Sequence, residues 1–279
     1  MIQDIYPSTL KNEYKAYPLR EEDSVLVFSD EGKLIAGEAE GRMIFYTGRG
    51  LREKKTEYLF SVDDRRFFLL AEDSGSTEKY GKDNFSAYEI REIRDRFAGQ
   101  DDLNVFVAFT AYHLWKWYRD NRYCGKCGKP LIPDPVERAL RCPECGNMIY
   151  PRINPAVIVG VTKGDTILIT RYRRGYRHNA LIAGFTEIGE TLEETVKREV
   201  MEETGVPVKN IRYYKSQPWG MAQDLLAGFF CDAEEGSGIH MDENELKYAE
   251  WVRREDIVLQ PNNLSLTNEM MRVFKEGLI

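Results

Sequence analysis

Apolar and polar positions follow two different periods along this chain. Residues 24–71 carry five short runs of strand length: SVLVFS (24–29), KLIAG (33–37), RMIFYT (42–47), EYLFSV (57–62) and RFFLLA (66–71). Asp30-Glu31-Gly32, Gly48-Arg49-Gly50 and Asp63-Asp64 punctuate them. Runs of β-branched and aromatic residues between turn-forming clusters predict strands. The first hundred residues are therefore expected to be β-rich, with a polar loop at 72–84. The period then changes. Leu103, Val107, Ala111, Leu114 and Tyr118 recur at helical spacing behind Asp101-Asp102, which predicts a helix starting there. His113, Trp115 and Trp117 in that helix read as packing residues. From Asn154 the two periods mix. PAVIVGVT (155–162) and TILITR (166–171) predict a hairpin around Lys163-Gly164-Asp165. IRYYKS (211–216), DLLAGFFCDAE (224–234) and LKYAEWV (246–252) predict further strands, and a helix at 265–276 closes the chain. The lone Cys231, inside an apolar run, is expected to be a small buried residue.

One helix is unusual for its charge. Thr191 followed by Glu194 forms the pattern of a capping box, and Gly205 with Pro207 marks a stop. Between them Glu199, Glu202 and Glu203 fall on one face, because positions i, i+3 and i+4 lie within a turn of each other. Three such carboxylates repel. A divalent cation with a preference for carboxylate oxygen, Mg²⁺ or Mn²⁺, removes that conflict. The plain alternative is a solvated acidic helix laced by Glu193–Lys197 and Glu194–Arg198 pairs.

Composition narrows the class. The chain has 279 residues, 42% hydrophobic and 30% charged, with a formal net charge of −7. That length allows two domains with sizeable cores. No apolar run approaches the roughly 18 residues of a membrane span, and the first residues lack a signal-peptide core. A cytoplasmic protein is expected. The negative balance argues against general coating of nucleic acid. Four of the five cysteines form two CxxC pairs, Cys124/Cys127 and Cys142/Cys145. This spacing suits a closed tetrahedral Cys₄ zinc site, structural rather than catalytic. Residues 122–152 hold six bases against three acids, a modest excess that leaves nucleic-acid binding and a structural ribbon both open. The stretch YRRGYRHN (172–179), with Arg171 before it, holds four arginines and two tyrosines. Such a loop can attract polyphosphate and offer stacking faces.

The spacing around the acidic helix carries a resemblance. Gly184, five residues, Glu190, seven residues, Arg198-Glu199-Val200, one residue, Glu202-Glu203, one residue, Gly205-Val206 resembles the complete Nudix box. The order of an N-terminal domain, a Cys₄ ribbon and a segment beginning YPRINPAVIV is similar to the NADH pyrophosphatase branch of that family. So are Ser216-Gln217-Pro218-Trp219 and DENELKYAEW (242–251). The resemblance implies a mixed α/β (α+β) fold: a β-rich N-terminal domain (1–120), a zinc ribbon (121–152) and a Nudix α/β/α sandwich (153–279). It implies that Glu199, Glu203 and Glu245, with Glu202 and the backbone carbonyl of Ala183, serve catalytic Mg²⁺ or Mn²⁺. It implies that Arg198 orients the box by pairing with a carboxylate such as Glu190. Phe185, Tyr150, Gln217, Trp219, Glu137, Arg91 and Thr267 match substrate-contacting positions, Tyr150 being lent across a homodimer. The implied reaction is hydrolysis of the pyrophosphate of NAD(H) to NMN(H) and AMP, with NAD-capped RNA as a further substrate. Divalent ions would neutralise the pyrophosphate and activate water. The sequence departs from the branch where PFPxS is expected: Gly220-Met221-Ala222-Gln223-Asp224 loses two prolines and an aromatic, and puts an expected negative charge at Asp224. Another nucleoside diphosphate derivative such as ADP-ribose, or a non-catalytic Nudix ligand sensor, stays open.

Overall fold

A computed structural model describes residues 1–71, 84–173 and 178–279. Most of the polar loop expected at 72–84, and residues 174–177 of the basic loop, lie outside the described residues. The chain separates into two compact units. One comprises Asp4–Arg152 with Gly220–Ala222, the other Met1–Gln3, Ile153–Trp219 and Gln223–Ile279.

The first unit is built on strands β1 (Leu10–Lys11), β2 (Ser24–Phe28), β3 (Leu34–Ala39), β4 (Arg42–Ile44), β5 (Tyr46–Thr47), β6 (Thr56–Val62), β7 (Arg65–Leu70) and β8 (Phe85–Tyr88). They form one sheet in the order β1-β6-β7-β2-β3-β4, with β5 on β2 and β8 on β3. The run expected at 42–47 breaks at Phe45, because β4 pairs with β3 whereas β5 pairs with β2. Val25, Val27, Ile35, Tyr46, Tyr58, Phe68 and Leu70 meet in a core on this sheet. Two helices follow, α1 (Ile90–Phe97) and α2 (Asp102–Asp120). The first was not expected from the hydrophobic period, although Ile90, Ile93 and Phe97 make a buried stripe and Glu89 and Glu92 a capping box. Asp101 does stand at the N-cap of α2, but its side chain does not cap. It accepts instead from the Met43 N–H at 2.8 Å and the Asn104 amide at 2.9 Å, tying α2 to the sheet. His113 bonds through Nε2 to the Arg152 carbonyl at 2.7 Å, Trp115 packs on Phe28 and Tyr112, and Trp117 is buried. All three are packing residues, as expected. The unit ends in a small sheet of β9 (Ile132–Pro133), β10 (Leu140–Arg141) and β11 (Met148–Ile149), in the order β11-β10-β9.

The second unit contains β12 (Asn154–Lys163), β13 (Thr166–Tyr172), β14 (Ile182–Phe185), α3 (Leu192–Thr204), β15 (Val208–Trp219), β16 (Asp224–Ala233), β17 (Leu246–Arg253) and α4 (Leu266–Lys275). The sheet order is β15-β16-β12-β13-β17, with β14 also on β12. Only β12 and β16 run parallel among its described pairs. Alternation along each strand assigns two faces. Val157, Val159, Val161, Leu168, Phe229 and Cys231 meet Val196 and Val200 of α3. Ile158, Ile167, Ile169 and Phe230 meet Met270, Met271 and Phe274 of α4. The result is a helix on each side of a sheet, the expected sandwich, with Cys231 buried in the α3-side core.

Candidate active site and zinc centre

In the ribbon the two CxxC turns bring Cys124, Cys127, Cys142 and Cys145 together, with all sulfurs within 4.8 Å of one another. The Cys127–Cys142, Cys127–Cys145 and Cys124–Cys145 separations are 3.4, 3.5 and 3.6 Å. A disulfide needs about 2.05 Å. A tetrahedron with Zn–S bonds of about 2.3 Å has edges of about 3.8 Å, so the four thiols fit zinc and do not form disulfides. The Cys124 and Cys142 carbonyls accept from the Gly128 and Gly146 N–H groups, closing each turn. Two of the expected substrate-contacting residues meet on this module: the Tyr150 hydroxyl donates to Glu137 at 2.6 Å. The turn carrying Glu137 is held by Asp134, whose carboxylate accepts from the Val136 and Glu137 N–H groups and from Arg141. The Glu137 and Val136 amides, with Arg141, hold the Asp134 carboxyl down to about 2. Arg91 lies in the first turn of α1, where Glu31, Glu89, Glu92 and Tyr112 share a cavity of about 550 Å³ with it. Those acids make a poor setting for an anionic ligand.

The acidic helix of the second unit starts as its sequence demands. Thr191 and Glu194 cap reciprocally, and Gly205 ends α3 at φ +66°, a conformation that favours glycine. The carboxylates along it are treated unequally. Arg198 donates from Nε to Glu190 at 2.6 Å and from Nη2 at 2.9 Å, the bidentate fork expected of it. Its Nη1 reaches Glu199 at 2.7 Å and Glu202 at 3.0 Å, and Nη2 also reaches the Phe185 carbonyl. One guanidinium thus ties the loop before the helix to the helix face, and holds the Glu190 carboxyl down to about 2. Glu194 is occupied with Thr191 rather than with Arg198, so the solvated ladder offered as an alternative does not form on that side.

Glu202 is exposed, Glu199 is half-buried against β14, and Glu203 is 2% exposed. Burial pushes the Glu203 carboxyl up to about 8; the Tyr172 hydrogen bond opposes this, and the charges of Glu245 and Glu199 add to it. Burial also raises Glu199. Gly184 makes room for Glu199: a Cβ there would lie 1.8–2.2 Å from its carboxyl group. Glu245 is exposed and acts on Glu199 and Glu203 through its charge, from a segment docked on the end of α3. The His240 and Asp242 N–H groups bond to the last carbonyls of α3, at Thr204 and Glu203, satisfying groups a helix end leaves open. The Glu245 carbonyl then accepts from the Arg173 N–H at 2.9 Å. The β13–β17 register slips at this point, between Arg171 and Tyr172.

Ala183 lies opposite Ile158 in the β12–β14 pair, yet its N–H bonds to the Tyr172 hydroxyl at 3.2 Å. In an extended strand the N–H and C=O of one residue point the same way. The Ala183 carbonyl therefore also points away from the β12 ladder, on the side of the carboxylates. One buried, one half-buried and two exposed carboxylates beside an unladdered carbonyl offer oxygen donors of the kind a hard divalent cation takes, although among the described residues only the four ribbon cysteines bring three or more ligand atoms within 4.8 Å of one another.

Residues 152–274 match the NUDIX domain family, and residues 119–150 match the NADH pyrophosphatase zinc ribbon domain. Residues 152–274 are a Nudix domain. Among curated proteins, the NAD-capped RNA hydrolase NudC of Citrobacter koseri is 41% identical over 176 residues, covering 62% of this chain and 65% of that protein. The protein of the same name from Salmonella typhi is 41% identical over 174 residues, with the same coverage. The matched segment thus spans just under two thirds of these relatives. A Nudix hydrolase structure from Nitrosomonas europaea is 20% identical and covers 56% of this chain and 91% of its own, with a TM-score of 0.48.

Within the Nudix domain the remaining expected residues separate. Phe185, at the end of β14, is half exposed beside Arg198. Trp219 ends β15 partly buried, and Thr267 sits in the first turn of α4. Gln217 is corrected. It is wholly buried, its amide donating to the Leu264 carbonyl at 2.8 Å and accepting from the Leu266 N–H at 2.7 Å. Those bonds fasten β15 to the start of α4 and leave the side chain no face to line a pocket. Asp224 is corrected too. It is 5% exposed, its Oδ1 has no partner, and burial raises its carboxyl to about 7. The turn before it therefore does not present the full negative charge that the sequence suggested. Tyr172 was expected only as a stacking face of the basic loop; it instead ends β13 with its hydroxyl on Glu203, a role that only strand alternation, which puts it on the same side as Leu168 and α3, could have shown.

Proposed function

We propose that this protein hydrolyses the pyrophosphate bond of NAD(H), giving NMN(H) and AMP, and removes NAD caps from RNA by the same cut. The observation that carries the reading is the carboxylate set of the Nudix helix, with Glu203 buried, Glu199 half-buried and the Glu245 charge acting on both. Glu199, Glu203, Glu245 and the Ala183 carbonyl would hold Mg²⁺ or Mn²⁺, helped by Glu202. Such an ion supplies charge neutralisation to a pyrophosphate and acidity to water. The chain's own contribution is threefold. Arg198 holds the box in register, Phe185 offers an exposed ring for stacking on nicotinamide, and a carboxylate of the set accepts the proton of the attacking water. The NADH pyrophosphatase ribbon and the relatives named for NAD-capped RNA support the choice of substrate. Tyr150, Glu137, Trp219, Thr267 and Arg91 belong to this reading as further substrate contacts, Arg91 with the least support from its acidic surroundings.

A homodimer and a cytoplasmic location complete the reading. Free thiols arranged for zinc suit a reducing compartment, and no helix among the described residues is long and apolar enough to cross a membrane. Light scattering tests the dimer.

The second reading, an ADP-ribose hydrolase, is favoured by the altered turn, where Gly220-Met221-Ala222 replaces a proline-rich segment. Assaying NADH, NAD⁺, ADP-ribose and NAD-capped RNA with Mg²⁺ or Mn²⁺ decides between them. NADH turned over with the highest kcat/KM is the expected result. A wide preference for ADP-ribose would transfer the assignment to the second reading, and no turnover of any substrate would leave the ligand-sensor reading standing.

A further inference from the structure

Tyr172 is the last residue of β13 and faces α3 beneath the carboxylates. Its hydroxyl approaches the two Glu203 carboxylate oxygens at 3.2 and 3.4 Å, and the Ala183 N–H approaches the same hydroxyl at 3.2 Å. A phenol has one hydrogen to give and lone pairs to receive with. Tyr172 donating to Glu203 and accepting from Ala183 satisfies all three groups, and the Ala183 N–H also acts on the Glu203 carboxylate directly. The next residue acts on the third acid, since the Arg173 N–H holds the Glu245 carbonyl. The end of one strand thus reaches Glu203 through a side chain, Ala183 through the same side chain, and Glu245 through the backbone.

We propose that Tyr172 is a positioning residue of the divalent-cation site, fixing the Glu203 carboxylate and the Ala183 peptide in one relative orientation. This rests on the metal-site reading above but not on the identity of the substrate. With the hydroxyl in place, one Glu203 orientation is selected, and the Ala183 peptide cannot rotate its carbonyl without giving up a hydrogen bond. Groups that orient metal ligands in this way typically account for 10–100-fold in metal affinity or activity. Tyr172 touches neither substrate nor the reacting atoms in this scheme, so its loss should act on metal binding first.

The test is Mn²⁺ binding to the full chain, followed by calorimetry and by electron paramagnetic resonance, in the wild type, Tyr172→Phe, Glu203→Asp and the double variant. Tyr172→Phe keeps the ring and removes the hydroxyl. The expected result is a Kd for Mn²⁺ weakened by about tenfold, with kcat falling at limiting Mn²⁺, recovering at high Mn²⁺, and KM for NADH little changed. Glu203→Asp withdraws the carboxylate from the hydroxyl, so adding Tyr172→Phe to it should weaken Mn²⁺ no further. Wild-type Mn²⁺ affinity in folded Tyr172→Phe overturns the proposal. So does a further tenfold loss in the double variant, which also serves if the single variant folds poorly. If the wild type binds Mn²⁺ but cleaves no NADH, the substrate reading fails while this comparison still decides the role of Tyr172.

Discussion

Gly184→Ala separates what the Nudix site needs from what the fold needs. A methyl group at position 184 would sit 1.8 Å from the Glu199 carboxyl carbon and 2.0–2.2 Å from its oxygens. Ordinary contact between such atoms is about 3.5 Å, so the carboxyl must retreat by roughly 1.5 Å. It is the free end of a flexible side chain and can do so. The Gly184 backbone lies outside the left-handed region, so alanine fits without strain. Replacing glycine at a compatible position gains about 0.4–1 kcal/mol through the unfolded chain, which offsets the Arg198–Glu199 hydrogen bond lost, about 1 kcal/mol. Stability should therefore stay within about 1 kcal/mol of wild type. Activity should not. A misplacement of about 1 Å costs on the order of 10²-fold in rate, equivalent to about 2.7 kcal/mol of barrier. The assay is NADH hydrolysis with Mn²⁺ alongside thermal unfolding. Full activity in the folded variant would refute the requirement for Glu199 at its present place. Loss of the fold would show that the close approach serves packing instead.

Other consequences are independent of that one. The Asp224 carboxyl, raised to about 7 by burial, lies above its unfolded value of about 3.9. Its contribution to stability is thus fully present below about pH 4 and is lost as pH rises through 7, up to about 4 kcal/mol by linkage. Asp224→Asn should flatten that part of the pH profile in urea unfolding at pH 5 and pH 8; an unchanged profile would mean the carboxyl is not protonated in its buried place. Gln217→Ala strands the Leu264 carbonyl and Leu266 N–H, costing about 2–3 kcal/mol, and should lower the melting temperature while leaving KM nearly unchanged. A raised KM with unaltered stability would restore Gln217 to the substrate pocket. For the ribbon, elemental analysis should find about one zinc per chain, strongly reduced in Cys142→Ser, and a metal-free wild type would contradict the site.

Much of this architecture was legible because local signals and tertiary demands agree. The longer strands of both units, α2, α3 and α4 announce themselves by period, whereas the short strands β1, β8 to β11 and β14 do not, and the Thr191–Glu194 and Gly205 signals set the ends of α3. The helix carboxylates and the cysteine turns could be read because metal chemistry imposes spacing on the sequence itself. What was not legible depends on partners far along the chain. Gln217 looked like a pocket residue from its motif, but the buried backbone groups of Leu264 and Leu266 claim its amide. Asp224 looked charged until burial was known. Asp101 looked like a helix cap, yet the Met43 N–H from a neighbouring strand takes its carboxylate. Tyr172 looked like a stacking face of the basic loop; its role arises from Ala183 and Glu203, eleven and thirty-one residues away. The helix α1 is only eight residues long, too short for the period to stand out beside its charges.

The central claim is that Glu199, Glu203 and Glu245, with a divalent cation, drive pyrophosphate cleavage of NADH. The most direct measurement is the rate of NMNH and AMP formation by chromatography, in wild type and Glu203→Gln, with Mn²⁺ saturating. The account predicts both products in equal amounts from wild type and at least a 10²-fold lower rate in the variant, in line with loss of a carboxylate from the catalytic set. Equal rates in the two proteins, or no cleavage by wild type, would contradict it.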